Sequence, residues 1–205
     1  MSPVNPGRNR VRHLLLLVVF ASFAVSTACG GGGGGGGSSS NPLTASFASS
    51  NPNPVAGDVS LQAVSASAAS FSVDVSFTDM NDVFAATLTM TYDPTAIRFD
   101  SHSFVNTFMT AGPTGGPTLL VSDDGAGTVR IAASRLAPDT GVNVAGTQAH
   151  VRLGFTARRA AANSPIAFAG NLEVCNSQPN GDAVCDLNGA ILVNSFTGGA
   201  MNASN

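Results

Sequence analysis

From Asp58 onward, apolar and polar residues take turns one position at a time. Val59, Leu61 and Ala63 alternate with Ser60 and Gln62, and Phe71, Val73, Val75 and Phe77 alternate with Ser72, Asp74 and Ser76. Side chains two apart share one face of an extended strand, so the pattern predicts strands with one face buried and the other wet. Phe84, Ala86, Leu88, Met90 and Tyr92 repeat it as far as a turn at Asp93 and Pro94, and Ile97 with Phe99 begins the next strand. Further strands are predicted at Leu119–Ser122, Thr128–Ser134, His150–Ala157, Ile166–Ala169, Leu172–Cys175 and Ala190–Asn194. The gaps hold turn formers: Asp123 to Gly127 reads as a hairpin connection, and Pro113 to Pro117 as a longer loop. No stretch keeps helical spacing for three turns. The expectation is an all-β fold, an antiparallel two-sheet sandwich of about nine strands over 58–194, with a barrel as the alternative. Residues 195–205 read as a flexible tail.

The chain ahead of that pattern is of a different kind. Arg8, Arg10, Arg12 and His13 lead into an apolar run from Leu14 to Val25, broken only by Ser22 and followed by Ser26, Thr27 and Ala28. A basic start, an apolar middle and small residues at the end make residues 1–28 a signal peptide for export. The run is twelve residues long, short of the ~20 a membrane-spanning helix needs. Cys29 follows directly, then Gly30 to Gly37 and Ser38 to Ser40. This arrangement resembles a bacterial lipoprotein signal, with Ser26 where the pattern usually has Leu. It implies that Cys29 is lipidated and anchors the chain in the cell envelope, with the outer membrane favoured because Gly30 follows the cysteine. Ordinary cleavage near Ala28 is the alternative. Residues 29–57, rich in Gly, Ser, Asn and Pro, read as a disordered tether with a reach of ~30 Å.

Composition narrows the chemistry. The 205 residues carry nine Arg, no Lys and twelve acidic residues; removing the three Arg of the signal leaves six against twelve, a net of −6. A phosphate backbone repels such a body, which argues against nucleic-acid binding. Cys175 and Cys185 stand ten apart in a segment with Gly, Pro and Asn, close enough to bridge in an oxidising compartment. The alternatives are two buried reduced cysteines or a metal site, and the latter lacks the nearby His needed to complete four ligands. Cys29 is left over, and lipidation would account for it.

Catalytic signatures are missing. Beyond the signal only His102 and His150 could serve as neutral-pH bases, and there is no Gly-x-Ser-x-Gly elbow, His-Glu-x-x-His pair or phosphate loop. Asp123 and Asp124 read as a solvated turn rather than paired catalytic carboxylates. The expectation is no enzyme, no cofactor and no metal. Asp79, Asn81 and Asp82, and Asn180, Asp182, Asp186 and Asn188, offer oxygens of the kind calcium needs, but an EF-type alignment of the second group puts Leu187 where a bidentate Glu is needed, and both groups read as exposed turns. Taken as strand residues, Arg130, His150 and Arg152 point outward and form a candidate basic cluster for a protein partner.

Several of these residues together resemble a known family. The alternating Phe71–Phe77 strand, the strand ending in Tyr92, Asp93 and Pro94, then Ile97 and Phe99, resemble the first half of a cohesin domain. Gly127 to Ile131, and Gly146 to Phe155 closing on Leu153, Gly154 and Phe155, resemble its middle strands. The resemblance implies a nine-stranded jelly roll, akin to certain carbohydrate-binding modules, that holds dockerin modules of polysaccharide-degrading enzymes. A protein partner, dockerin-like or on the cell surface, is the first expectation. The alternatives are polysaccharide binding, weakened by the lack of Trp and the single inward Tyr92 unless Phe104 or Phe108 line a cleft, and a structural envelope role with no discrete ligand.

Overall fold

The computed structural model describes residues 41–105, 109, 117–170 and 182–205. The signal, Cys29, Cys175, Phe108, Asn180 and the predicted strand at Leu172–Cys175 lie outside the described residues. Those described form twelve strands and no helix: β1 (Thr44–Ser49), β2 (Asp58–Ser67), β3 (Ser70–Val83), β4 (Ala85–Tyr92), β5 (Ile97–Phe104), β6 (Thr118–Asp123), β7 (Thr128–Ser134), β8 (Val142–Ala157), β9 (Ala161–Phe168), β10 (Ala183–Cys185), β11 (Ser195–Thr197) and β12 (Gly199–Ser204). One sheet runs β1-β12-β9-β4-β7-β6, with β10 also paired to β4; the other runs β11-β2-β3-β8-β5. We refer to them as the long sheet and the short sheet. The two pack as a sandwich, and the pairings are antiparallel except β11 on β2.

The alternating residues do what their period dictates. Phe71, Val73, Val75 and Phe77 of β3 face Leu88, Met90, Ile131 and Ile166 of the long sheet, and all are buried in one core. Five rings join the sheets: Phe71 stacks on Phe47 at 6.3 Å and on Phe155 at 5.5 Å, and Phe155 meets Tyr92 at 5.9 Å and Phe99 at 5.6 Å, both edge-on.

Both ends of the domain lie further out than the alternation suggests. β1 falls within the stretch expected to be tether, and β11 with β12 within the expected tail. β12 is an inner strand, flanked by β1 and β9, with Met201 fully buried. These strands are built from Ala, Ser, Thr, Gly and Asn with one large apolar residue each, Phe47, Phe196 and Met201, so their composition reads as linker. The Asn51-Pro52-Asn53-Pro54 repeat is likewise fastened down. The buried Asp58 carboxylate accepts hydrogen bonds from Asn51 Nδ2 at 3.1 Å, the Val55 N–H at 2.9 Å and Ser195 Oγ at 2.5 Å, tying the β1–β2 connection to β11.

The predicted strand at Ala190–Asn194 is a single bridge, Ile191 to Cys185, on the far side of a turn in which Asp186 Oδ1 accepts the N–H groups of Asn188 and Ala190. That turn feeds β10, which pairs with Ala85–Thr87 where β9 has already parted from β4. Asp182 fills the junction. It is fully buried, and its carboxylate accepts the Thr89 and Gly170 N–H groups that the parting strands leave without ladder partners. Burial pushes its carboxyl up from the usual carboxylate value, while those backbone donors pull the other way.

Candidate functional site

Each candidate residue has a definite place, and the basic cluster does not assemble. Arg130 is on β7 of the long sheet, whereas His150 and Arg152 are on β8 of the short sheet. Arg152 grips Asp74 across the strands with Nε at 2.8 Å and Nη2 at 3.0 Å, so its charge is already matched. The expectation that His150 points outward is wrong. Opposite β3 the register of β8 slips between Val75↔Val151 and Ser76↔Ala149, which makes His150 the extra residue of a β-bulge. The bulge breaks the period of two, so His150 and Val151 are both buried, and the imidazole lies 5.3 Å from Phe77 and 5.7 Å from Phe104.

His102 sits on the exposed end of β5, stacked on Phe99 at 6.5 Å. The Asp pair divides its work as a turn would. Asp124 Oδ1 accepts the N–H groups of Ala126 and Thr128, which hold its carboxyl below the usual value, while Asp123 Oδ1 accepts the Tyr92 hydroxyl at 2.8 Å. Burial and that carboxylate push the Tyr92 phenol up to about 12. Asp79 accepts the Gly146 N–H. Among the described residues no cluster of three His, Cys, Asp or Glu side chains could hold a metal ion.

The two outer faces of the sandwich differ sharply. On the short sheet polar side chains answer one another: Asp74 with Arg152, Thr78 with Thr147, and Asp100 with both Arg98 and Thr156. On the long sheet the outward residues of β6, β7 and β4 are small and uncharged except for one. Thr118, Leu120 and Ser122 stand beside Ser134, Ala132 and Arg130, which in turn stand beside Ala85, Thr87 and Thr89. Because Ala132 and Ala85 offer only a methyl group, the centre sinks into a shallow depression of about 270 Å³. Leu120, 63% exposed, forms its rim. Arg130 is exposed; among the described residues no carboxylate reaches it at salt-bridge distance, but it lies near enough to Asp124 to help hold that carboxyl low. An open, shallow, nearly uncharged surface with one exposed guanidinium is suited to covering by another surface, not to enclosing a small molecule. Sequence reasoning picked out Arg130 but missed this face, since its members come from three strands and only the ladder register lines them up.

No protein-family model matches the sequence, and no curated protein matches it. Among solved structures the chain is similar to CaCohA2 from Clostridium acetobutylicum, with a TM-score of 0.50 at 13% identity over 77% of this chain and 88% of that one. It is also similar to the sixth cohesin of scaffoldin B from Acetivibrio cellulolyticus, solved with a Cel5 dockerin mutant (TM-score 0.48, 16% identity, 63% of this chain and 85% of that one). A non-cellulosomal cohesin from Archaeoglobus fulgidus gives a TM-score of 0.44 at 12% identity over 76% of this chain and 86% of that one. The chain therefore has a cohesin-like jelly-roll fold, as the sequence resemblance implies.

The buried imidazole generates a prediction. Burial lowers the His150 pKa to about 4, from 6.5 for an exposed histidine. Between those values the unfolded chain binds a proton that the folded one does not, so folding stability is full above pH 6.5 and falls as pH drops toward 4. The loss attributable to His150 is on the order of 3 kcal/mol at the low end. Urea melts of the wild type and His150→Leu across this range should diverge, the variant losing less stability as the pH falls. Parallel pH profiles would show that His150 contributes nothing to the acid sensitivity.

Proposed function

We propose that the chain is a non-catalytic envelope lipoprotein whose sandwich binds a protein partner on the outer face of β6, β7 and β4. The observation that carries this reading is the contrast between the two outer faces. One closes its polar groups on itself; the other leaves small residues, an exposed leucine and an exposed Arg130 open. A dockerin-like module of a polysaccharide-degrading enzyme is the partner class that the cohesin resemblance implies, and a protein of the cell surface is the broader one. Phe104, 41% exposed, is the one strongly exposed aromatic ring among the described residues, and it lies on the short sheet rather than in the depression. Among the described residues, nothing near the depression offers a sugar ring a stacking platform.

Ala132→Arg fills the depression and Arg130→Ala removes the exposed cation. Each should weaken capture of a partner from the native envelope about tenfold or more, the effect of losing a central interface residue, with the melting temperature little changed. Ser72→Arg, on the opposite sheet, should leave capture intact. If Ser72→Arg weakens capture as much as the other two, or none of the three does, the partner binds elsewhere.

The anchor belongs to the same proposal. Cys29, set between Ala28 and the glycine run, would carry the lipid and become the first residue of the mature chain, placing the domain on the envelope and most simply at the outer membrane. Metabolic labelling with a fatty-acid analogue should follow Cys29 and vanish in Cys29→Ser. Unchanged labelling and membrane fractionation in that variant would refute lipidation.

Export also favours a Cys175–Cys185 disulfide. Cys185 is fully buried on β10, next to the junction that Asp182 plugs. Loop-closure entropy puts the bridge's contribution at roughly 2 to 3 kcal/mol. Thiol titration of the unfolded, unreduced chain should find neither cysteine reactive; two titrating thiols beyond Cys29 would defeat the assignment.

A further inference from the structure

Among the described residues the two sheet paths end in four strands, β1, β6, β11 and β5, and three of these are guarded at least in part. β1 gives its Ala45 N–H to the Ala68 carbonyl in the β2–β3 turn at 2.8 Å, which occupies the first of the groups on its free side. β5 carries Arg98 and Asp100 and a bulge between Phe99 and Ser101, all of which spoil pairing with another strand. β11 is three residues long. The fourth edge, β6, is Thr-Leu-Leu-Val-Ser-Asp: no bulge against β7, no proline, no charge before Asp123. The Asp123 carboxylate is itself turned inward to the Tyr92 hydroxyl.

The direction of its free hydrogen-bonding groups follows from the hairpin. The Asp124 N–H bonds the Thr128 carbonyl. Along an antiparallel strand such groups alternate, so Ser122, Leu120 and Thr118 turn their N–H and C=O toward β7, while Leu119 and Val121 turn theirs to the open edge. A second copy related by a two-fold axis through Leu120 meets this edge in register. Leu119 of one copy then exchanges both hydrogen bonds with Val121 of the other, and the reverse, four bonds in all. Leu120 faces Leu120 and Thr118 faces Ser122 on the outer side; Leu119 faces Val121 on the inner side. Like sits on like, and no charge faces a charge. Shifting by one pair sets Leu120 against Ser122 and Asp123 against Leu119. Pro117, which has no N–H to give, ends the pairing on either side.

We infer that two copies of this chain associate edge to edge through β6, joining their long sheets into one continuous sheet. The partner is a second copy because the edge complements itself in hydrogen bonding, side-chain class and charge. The contact is small, so the dimer is weak and concentration-dependent. It leaves the outer face of β6, β7 and β4 uncovered, and the inference does not depend on what binds there.

Sedimentation of the full chain carrying Cys29→Ser should show a monomer–dimer equilibrium within concentrations up to ~1 mM, the range open to a contact of this size. Val121→Pro removes an N–H that points away from β7 and should yield a folded monomer, judged by circular dichroism. Leu120→Cys should then cross-link two copies under mild oxidation, because opposed residues of a non-hydrogen-bonded pair sit ~4.5 Å apart, within disulfide reach. Thr118→Cys should not cross-link, since its two copies lie ~13 Å apart along the strands. A monomer throughout that range, a dimer that survives Val121→Pro, or equal cross-linking at both positions would overturn the inference. A monomer that instead pairs with added extended peptides would assign the edge to strand addition by another chain.

Discussion

The ring of Phe155 is the point on which the sandwich turns. It projects from β8 and touches Phe71 of β3, Tyr92 of β4 and Phe99 of β5, while Phe71 passes the contact on to Phe47 of β1. Five strands from both sheets are thereby fixed by one set of stacked and edge-on rings, an arrangement worth more than the area it removes from water. Truncating a buried ring of this kind costs about 3 to 5 kcal/mol, a large share of a domain's stability. With cohesion concentrated inside, the outer faces are not needed to hold the sheets together and are free to differ.

They do differ, and the difference is chemical. On the short sheet the Asp74–Arg152 fork and the threonine pairs use up their own hydrogen-bonding capacity, so a partner there would have to break existing bonds before making new ones. On the long sheet Thr87, Thr89 and Thr118 supply β-branched stiffness without charge, and Ala85 and Ala132 keep the surface low. Covering that face costs little desolvation. The same economy of charge leaves the β6 edge open, because the residues that would guard it are the ones this sheet does without.

Strands with large apolar residues were legible in the sequence, since Phe71 to Phe77 and Phe84 to Tyr92 commit their burial to a period of two. β1 and β12 were not, because Ala, Ser and Gly bury as readily as they dangle and only long-range pairing decides. His150 was misread for a different reason: alternation assumes an unbroken register, and one inserted residue in β8 inverts it. The supposed basic cluster failed on topology, as β7 and β8 are consecutive in the chain yet belong to different sheets. Arg130 was visible as a residue, but its setting among Thr89, Ser122 and Ala132 exists only once three strands are laid side by side.

The most recognisable motif in the chain, Tyr92-Asp93-Pro94, serves the open face without belonging to it. Asp93 closes the turn into β5 by accepting both the N–H and the hydroxyl of Thr95, bonds that lower its pKa along with the nearby Arg159. Tyr92 points inward, packs on Phe155 and reaches along the inner face of the sheet to hold Asp123 at the end of β6. Gly127, at φ +102, lets the hairpin lie so near that a Cβ there would stand 2.4 Å from the Tyr92 carbonyl oxygen. An edge strand joined to its neighbour by one ladder would ordinarily fray; here the hydroxyl bond and the close approach pin its far end to β4. A face held still before a partner arrives loses less entropy when one binds, so the rigid shape of this corner and the openness of the surface beside it are parts of one design: the tripeptide makes rigid what the small residues leave bare.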